Sequence, residues 1–553
     1  MDTTGADYVI RFLIERGVRR VAGMPGGAIL PLYDALARSD LAHVLVRHEQ
    51  AAGFIAQGAA RASGTPQVCF ATSGPGATNL LTALADAKLD SVPIIAITGQ
   101  VPTSLIGTDA FQEVDIVAAA KPMVKHAELV RSVDELPEAL ERAFELAMSG
   151  RPGPVLVDIP KDVQQARMPR MLSPRAHTPR RISTPPASDA QIDQAIALLE
   201  ASQRPVLYVG GGVIQSGAHE LIAALARGQD LPVTCTLMGL GAFDASDRRY
   251  LGMLGMHGAP FTNYVLHECD LLFAIGARFD DRATGKLSEF CPNAKVIHVD
   301  IDAREIGKLR KPLLGIQQDA KQFLQQLLAK LPFRSRPEYR AHVDDLRSKH
   351  PMPPIDGRAH QVFRTLSAAL EPSITVTTDV GQHQMWLAQH LPIQRPRQLL
   401  TSGGLGSMGF GLPAAIGAAL ETQARVWCVT GDGSLLLNIH ELATLADHAL
   451  DVAIIVLDNQ HLGLVRQQQT LFYEERLSAA AFARPTDFVA IARGFGIAAS
   501  RLPDVGVIES ALPNLLAQRG PRLIHIPIPA QDLVLPMVAP GAGNHEMVMA
   551  RAR

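Results

Sequence analysis

No charge dominates this chain. Its 52 Lys and Arg residues are balanced by 54 Asp and Glu, a formal net charge of -2, which leaves no broad cationic field for a phosphate backbone or an anionic lipid surface. Nucleic acid and membrane are therefore not the expected partners. Cysteine is scarce: Cys69, Cys235, Cys269, Cys291 and Cys428 are odd in number and widely spaced, with neither a CxxC pair nor a finger-like metal spacing. Some stand inside apolar runs such as Val68 to Phe70 and Val426 to Val429, which marks them as reduced core residues. No apolar stretch reaches the roughly 18 residues of a membrane-spanning helix, and aromatics make up only 5%. Met1 to Gly17 carries an amphipathic helical pattern with acidic residues, unlike a signal or transit peptide, so the chain is expected to be cytoplasmic and complete.

What the chain does have is bulk and glycine. At 553 residues, and with about 150 to 200 residues per domain, it is long enough for roughly three domains that each bury a core. A hydrophobic share of 47% and 45 glycines describe a globular protein with many tight turns. From about Val21 to Asp158, short β-rich runs (Val44 to Val46, Val68 to Ala71, Pro93 to Thr98, Pro154 to Ile159) alternate with helical stretches at Ala51 to Ala62 and Ala77 to Lys88. That alternation predicts parallel βαβ units in a first domain over 1–163. Residues 164–188 lose all periodicity and fill with Pro, Arg and Ser, a linker composition. Their arginines suit a solvated connector or, alternatively, an anion site. A second set, with runs at Val206 to Val209, Leu271 to Ile275 and Val296 to Ile301, is expected over 189–345 and fades in the proline-spotted region Pro332 to Pro354. A third is expected over 355–553, with runs at Ile374 to Thr377, Val426 to Val429, Val452 to Leu457 and Leu523 to Ile526. The fold class read from this is α/β, three doubly wound parallel-sheet domains.

Open parallel sheets bind ligands beyond the C-terminal ends of their strands, where loops and helix N-termini gather N–H groups. Gly431-Asp432-Gly433-Ser434 follows the strand Arg425 to Thr430 and opens a helix, and Leu457-Asp458-Asn459-Gln460 ends the next apolar run. Two neighbouring strand ends would set a carboxylate beside an amide oxygen, which suits Mg2+ that also takes diphosphate oxygens. The glycines let backbone approach a phosphate. GDGS alone is compatible with an ordinary strand-to-helix turn; paired with the second half at this spacing it is specific. A P-loop nucleotide site would need a Gly-Lys-Ser/Thr element that is missing here. Arg47-His48-Glu49-Gln50 closes another apolar run and starts a helix, where a lone Glu is commonly a cap.

With these residues in view, the sequence resembles the thiamine-diphosphate enzymes and, within them, the acetohydroxyacid synthases. The resemblance runs through MPGGAI, RHEQ, ATSGPGATN, PIIAITGQV, IGTDAFQE, RPGPVLVDIPKD, GMLGMHG, GARFDDRATG, TTDVGQHQMW, GLGSMGFGLPAA, GDGS and LDNQHLGLVRQ, nearly the whole chain. It implies thiamine diphosphate held by Gln382, His383, Gly431, Asp432, Gly433, Ser434 and Asn459. Mg2+ would lie on the side chains of Asp432 and Asn459 and the carbonyl of His461. Glu49 would bond N1' of the aminopyrimidine, and Met408 would wedge between the cofactor rings, where it could otherwise be core filler. Gly27, Phe111, Gln112 and Lys161 are implied around the reacting centre. Since family members complete the site with Glu from a second subunit, the resemblance implies a homodimer or tetramer, together with a small regulatory subunit.

GARFDDRATG further implies FAD in the middle domain, held by Arg151, Gly210, Gly211, His257, Gly276, Ala277, Arg278, Asp280, Arg282, Asp300 and Asp319. Arg278 would also read the carboxylate of the second keto acid, unless an ion pair with Asp280 or Asp281 occupies it. The implied activity is condensation of two 2-keto acids with loss of CO2, to acetolactate or acetohydroxybutyrate, the first common step of branched-chain amino-acid biosynthesis. Rival readings are a catabolic acetolactate synthase, a related keto-acid decarboxylase or oxidase, and a silent paralogue acting as a scaffold subunit. The last would be expected to lose Glu49, Asp432 or Asn459, and all three are present. One departure stands out: Gln468 occupies the place where the family commonly has Trp after Arg-Gln. An aromatic wall is thereby replaced by an amide, and little preference for 2-ketobutyrate as acceptor is expected.

Overall fold

A computed structural model describes residues 3–168, 185–353 and 357–550. They form three six-stranded parallel sheets. The first runs, edge to edge, Ala42–Leu45, Arg20–Gly23, Gln67–Ala71, Ile94–Gln100, Val155–Pro160 and His126–Leu129. The second runs Leu314–Gln317, Lys295–Asp300, Leu271–Ile275, Pro205–Val209, Val233–Cys235 and Tyr250–Met253. The third runs Leu399–Thr401, Thr375–Thr378, Val426–Gly431, Val452–Asp458, Arg522–Pro527 and Ala498–Arg501. Ile94–Gln100, Leu271–Ile275 and Val452–Asp458 are buried along their whole length, as strands must be when helices cover both faces of a sheet.

Each sheet has a point where chain order reverses, and there the loops leaving two adjacent strands diverge and open a crevice. In the first sheet it lies between Arg20–Gly23 and Gln67–Ala71, in the second between Pro205–Val209 and Leu271–Ile275, in the third between Thr375–Thr378 and Val426–Gly431. At the second, Gly210 and Gly276 approach so closely that a Cβ on Gly210 would collide with the Gly276 carbonyl.

The sheets do not stand apart. Helix Glu49–Ser63 of the first domain lies on helix Gly411–Thr422 of the third, with Gly58 against the Ala414 backbone and Gly417 against the Ile55 backbone. Side-chain-free contact at two points lets the helix axes approach, and one apolar cluster runs from Val44, Ile55 and Ala56 through Ala415 and Ile416 to Val426 and Ile454. A second cluster joins the middle sheet to the other face of the third. The C-terminal segment returns across the middle domain, where Lys286 N donates to the Ala542 carbonyl and Asn544 Nδ2 to that of Ala283.

The amphipathic start forms helix Gly5–Glu15, closed by a reciprocal Thr4–Asp7 capping box. Of the linker expected at 164–188, the stretch 169–184 lies outside the described residues. The region Pro332 to Pro354, read as fading structure, contains helix Pro337–Lys349, which continues past residue 345 and buries Tyr339, Val343 and Leu346 against the middle domain. Its long charged side chains hide that short apolar stripe. All five cysteines are free and buried, and burial pushes the Cys69 and Cys235 thiols up to about 12. No described helix is long and apolar enough to cross a membrane.

Candidate active site

Glu49 is the first residue of its helix, but it does not cap it. His48 takes that role, its Nδ1 accepting from Gln50 N at 3.1 Å. The Glu49 carboxylate instead turns towards the switch point of the first sheet, where it accepts from Asn79 Nδ2 at 2.9 Å and lies beside Gly76. Thr72 Oγ1 and Ser73 Oγ, on the loop after strand Gln67–Ala71, are buried without a hydrogen-bond partner. Gln112 holds a left-handed φ of 60° and packs on Gly74. Its loop is folded around Glu113, whose carboxylate takes the N–H groups of Gly107, Thr108 and Ala110. These backbone bonds hold Glu113 below the usual carboxylate range against some desolvation. Phe111 projects from that loop 88% exposed, and Gly27 is exposed as well. Lys161 opens helix Lys161–Gln165, half-buried, and makes no hydrogen bond or ion pair among the described residues.

The third sheet builds a second half. Strands Val426–Gly431 and Val452–Asp458 pair in parallel with Gly431 opposite Leu457, so Asp432 leaves one strand beside Asp458 and Asn459 leaving the other. Burial, then the neighbouring Asp458 carboxylate, pushes the Asp432 carboxyl up. Desolvation also acts on Asp458, but bonds from His525 and Asp432 outweigh it and hold Asp458 low. Asp432 Oδ2 is buried without a partner. Such a carboxylate beside a second one is stabilised by a cation between them. Asn459 Nδ2 donates to Gln382 Oε1 at 3.0 Å, and its Oδ1 accepts from His461 N at 2.9 Å around the left-handed Gln460. An orphaned carboxylate oxygen, an amide oxygen and a turn carbonyl form an all-oxygen set that fits a hard divalent cation.

His383 lies on Gly431 and Gly381, where a Cβ on either would touch its ring. Burial drops its pKa to about 3, so the ring is neutral, and its Nε2 has no partner. Gln382 donates to Gln467 Oε1 at 3.0 Å. Ser434 Oγ is already engaged with the Val380 carbonyl at 2.9 Å, and Gly433 faces Leu462 and Phe482, where a Cβ would be in tight contact at 3.1 Å.

At the middle sheet's switch point a 920 Å3 cavity opens, at the upper end of what small-molecule sites occupy. Arg151, Gly210, Gly211, His257, Gly276, Ala277, Arg278, Asp280, Arg282, Asp300 and Asp319 all line it. Burial pushes the Asp300 carboxyl up to about 6 and the His257 imidazole down to about 4. Arg151 ties this wall to the first domain through Ser91 at 2.8 Å and to Glu305 at 2.8 Å, and Asp319 caps helix Ala320–Lys330. Arg278 forms no ion pair with Asp280 or Asp281, nor any hydrogen bond among the described residues; Asp281 lies 3.8 Å from Arg282 instead. The turn after Arg278 is held by Phe279, buried at a left-handed φ of 59°, a strained conformation for a bulky residue. Gln468 lines the same cavity beside Leu464. Gly27, Glu49, Phe111, Gln112, Asp432 and Asn459 do not line it.

Met408 is half-buried in a loop gripped from both sides. Asp86 and Asp90 of the first domain bind residues 402–407, and Asp379 draws the N–H groups of Gly411, Gly409 and Phe410. These carboxylates, with Arg61 and Gln467, are absent from the sequence reading. Asp86 and Asp90 are one helical turn apart, but with Lys88 between them they read as an ordinary charged helix face, so the sequence carries no signal that marks them.

Three thiamine pyrophosphate enzyme profiles match the chain: the N-terminal TPP-binding domain over residues 3–119, the central domain over 192–327 and the C-terminal TPP-binding domain over 379–526. The large subunit of acetolactate synthase isozyme 1 from Escherichia coli is 51% identical over 99% of this chain and 97% of its own length. That of isozyme 2 from the same organism is 47% identical, over 98% and 99%. A probable chloroplastic acetolactate synthase 2 from Oryza sativa is 44% identical, over 99% and 86%. Three matched domains and full-length identity of this order leave one conclusion: the chain belongs to the acetolactate synthase large subunits, within the thiamine pyrophosphate enzymes.

Proposed function

We propose that this chain condenses pyruvate with a second 2-keto acid, with loss of CO2, to give acetolactate, or acetohydroxybutyrate when the acceptor is 2-ketobutyrate. When bound, thiamine diphosphate supplies a nucleophilic carbon and an electron sink for the decarboxylation. Asp432 and Asn459 through their side chains, and His461 through its carbonyl, would hold Mg2+, which would supply positive charge for the diphosphate; Gln382 and His383 would bound the same end. Glu49 would supply a carboxylate to hold a proton at the cofactor's aminopyrimidine, and Met408 would pack against the bound cofactor. Arg278 binds the acceptor carboxylate through a bidentate pair, the geometry a guanidinium is built for. Gly27, Phe111, Gln112 and Lys161 lie around the reacting centre.

The observation that carries this reading is the pairing of Gly431 with Leu457, which sets the orphaned Asp432 carboxylate beside Asn459. The Glu49 carboxylate bonds within the first domain, and Phe111 of the same domain is exposed. Both features support a site completed by a second copy of the chain, hence at least a homodimer. The relatives' designation as large subunits supports a small regulatory partner. The cavity's size and its ring of glycines, arginines and aspartates support FAD, in a structural role because the overall reaction has no net redox change. A cytoplasmic location accords with the reading.

Product formation from pyruvate, with thiamine diphosphate and Mg2+ present and FAD added or omitted, tests it. Acetolactate and CO2 formed only with all three cofactors are expected. Activity indifferent to FAD would move the assignment to a catabolic acetolactate synthase. No product, with or without a regulatory subunit, would leave the scaffold reading.

A further inference from the structure

The first domain reaches into the third with three charged side chains that no step above uses. Arg61, Asp86 and Asp90 are almost wholly buried, with side chains 5%, 0% and 0% exposed. The guanidinium of Arg61 donates to Asp90 Oδ2 at 2.9 Å, to Asp86 Oδ2 at 3.3 Å and to Gln57 Oε1 at 2.9 Å, and it stacks over Phe410. What remains of the two carboxylates is spent on one loop. Asp90 accepts the N–H groups of Gly403 at 2.9 Å and Gly404 at 2.7 Å. Asp86 Oδ1 accepts both the Ser402 and Ser407 hydroxyls, and Ser402 Oγ in turn accepts from Ser407 N at 2.8 Å.

Two carboxylates and one guanidinium out of water are expensive, and an apolar cluster of the same volume would hold two domains together at least as well. Buried ionic groups that bond main-chain N–H groups do something an apolar cluster does not: they fix the direction of each N–H and hence the path of the backbone. The path fixed here matters on both sides. Gly403 to Gly406 form a wall of the large cavity, and Gly404 lies so near Arg278 that a Cβ on it would come within 3.3 Å of the guanidinium. Beyond Ser407 the chain carries Met408 and passes directly onto Asp379, at the switch point where Asp432 also leaves its strand.

We propose that Arg61, Asp86 and Asp90 are positioning residues that lock the Ser402–Met408 loop, setting at once the distance from Gly404 to Arg278 and the placement of Met408 over the bound cofactor. This rests on the thiamine-diphosphate reading of the third-sheet site. The unit acts through the loop and touches no reacting atom. Its loss therefore leaves diphosphate and metal binding in place while it loosens the geometry on which turnover depends.

The test compares the full chain with Asp90→Asn, which keeps shape but weakens the grip on Gly403, Gly404 and Arg61, and with the milder Ser407→Ala. Three quantities are measured: thiamine diphosphate affinity in Mg2+, the rate at which C2–H of the bound cofactor exchanges with deuterated water, and kcat against KM for pyruvate. In Asp90→Asn, kcat and the exchange rate are expected to fall by about tenfold to a hundredfold, as for a reactant misplaced by about 1 Å. Affinity and KM should move by no more than about threefold, and Ser407→Ala should show the same pattern at smaller amplitude. If both variants keep kcat and exchange within about twofold of the unmodified chain, whatever their melting temperatures, the network is structural only and the proposal is overturned. If the unmodified chain itself binds no thiamine diphosphate and accelerates no exchange, the cofactor reading fails, and the proposal with it.

Discussion

Gly431 and Leu457 face each other across the two central strands of the third sheet, and everything at the candidate metal site follows from that register. A parallel pair shifted by one residue would turn every side chain to the opposite face, and Asp432 would no longer meet the loop that carries Asn459. Asp432→Asn keeps the shape of the side chain and removes its charge. Thiamine diphosphate affinity, measured by titration calorimetry at fixed Mg2+, is expected to fall by at least about tenfold, with a steeper dependence on Mg2+ concentration. Unchanged affinity would take Asp432 out of the metal site.

Glu49 is freed from capping by His48 and held by Asn79, so Glu49→Gln should fold normally. Acetolactate formation is expected to drop by about 10²- to 10⁴-fold, the range for loss of a proton-handling group. A variant that turns over like the unmodified chain would remove Glu49 from the mechanism.

Gln468 lines the cavity beside Leu464 and offers an amide where an indole would offer a broad apolar face. In competition between pyruvate and 2-ketobutyrate as acceptors, the unmodified chain is expected to discriminate little. Gln468→Trp should raise the preference for 2-ketobutyrate by about tenfold, the scale of one extra methylene in an apolar pocket. A strong preference already present in the unmodified chain would contradict this.

His257 is buried with Nδ1 at 3.0 Å from the Pro536 carbonyl, and burial drives its pKa down to about 4. A histidine lowered on folding keeps its full contribution to stability above its unfolded value of about 6.5 and loses it progressively as pH falls towards the folded value. The stability difference between the unmodified chain and His257→Asn should be flat above pH of about 6.5 and shrink below it, by up to about 1.4 kcal/mol per pH unit. Melting temperatures of both proteins across that interval decide it; a difference that does not change with pH would mean that His257 does not titrate as its burial demands.

Gly417 sits against the backbone of Ile55 where the first and third domains cross. A Val there forces the two helices apart, and destabilisation of about 1–3 kcal/mol is expected from overpacking, seen as a lowered melting temperature. Gly494→Ala, at a helical position with open space around it, is the control and should hold or slightly raise the melting temperature.

Much of this protein was legible in its residues. Central strands such as Leu271–Ile275 and Val452–Asp458 are continuous apolar runs because helices bury both their faces, and their ends point to the glycines and carboxylates at the switch points. The edge strands His126–Leu129 and Ala498–Arg501 are half-exposed, so they carry no apolar signature and stayed hidden until their partners defined them. GDGS and the following Asn mark the candidate metal site in local sequence, since a turn and two neighbouring strand ends are enough to bring Asp432 and Asn459 together.

Only the folded chain decided the rest. Whether Glu49 caps its helix, or Arg278 pairs with Asp280 or Asp281, depends on which partners the folded chain provides: His48 does the capping while Asn79 takes the Glu49 carboxylate, and Asp280 caps helix Asp281–Thr284 while Asp281 lies by Arg282. Arg61, Asp86 and Asp90 look in sequence like a surface ion pair on two helices. They become a buried grip because the loop at 402–407, more than three hundred residues away, is brought against them by the packing of Gly58 and Gly417. A charge pattern is local, but the desolvation that gives it consequence belongs to the fold.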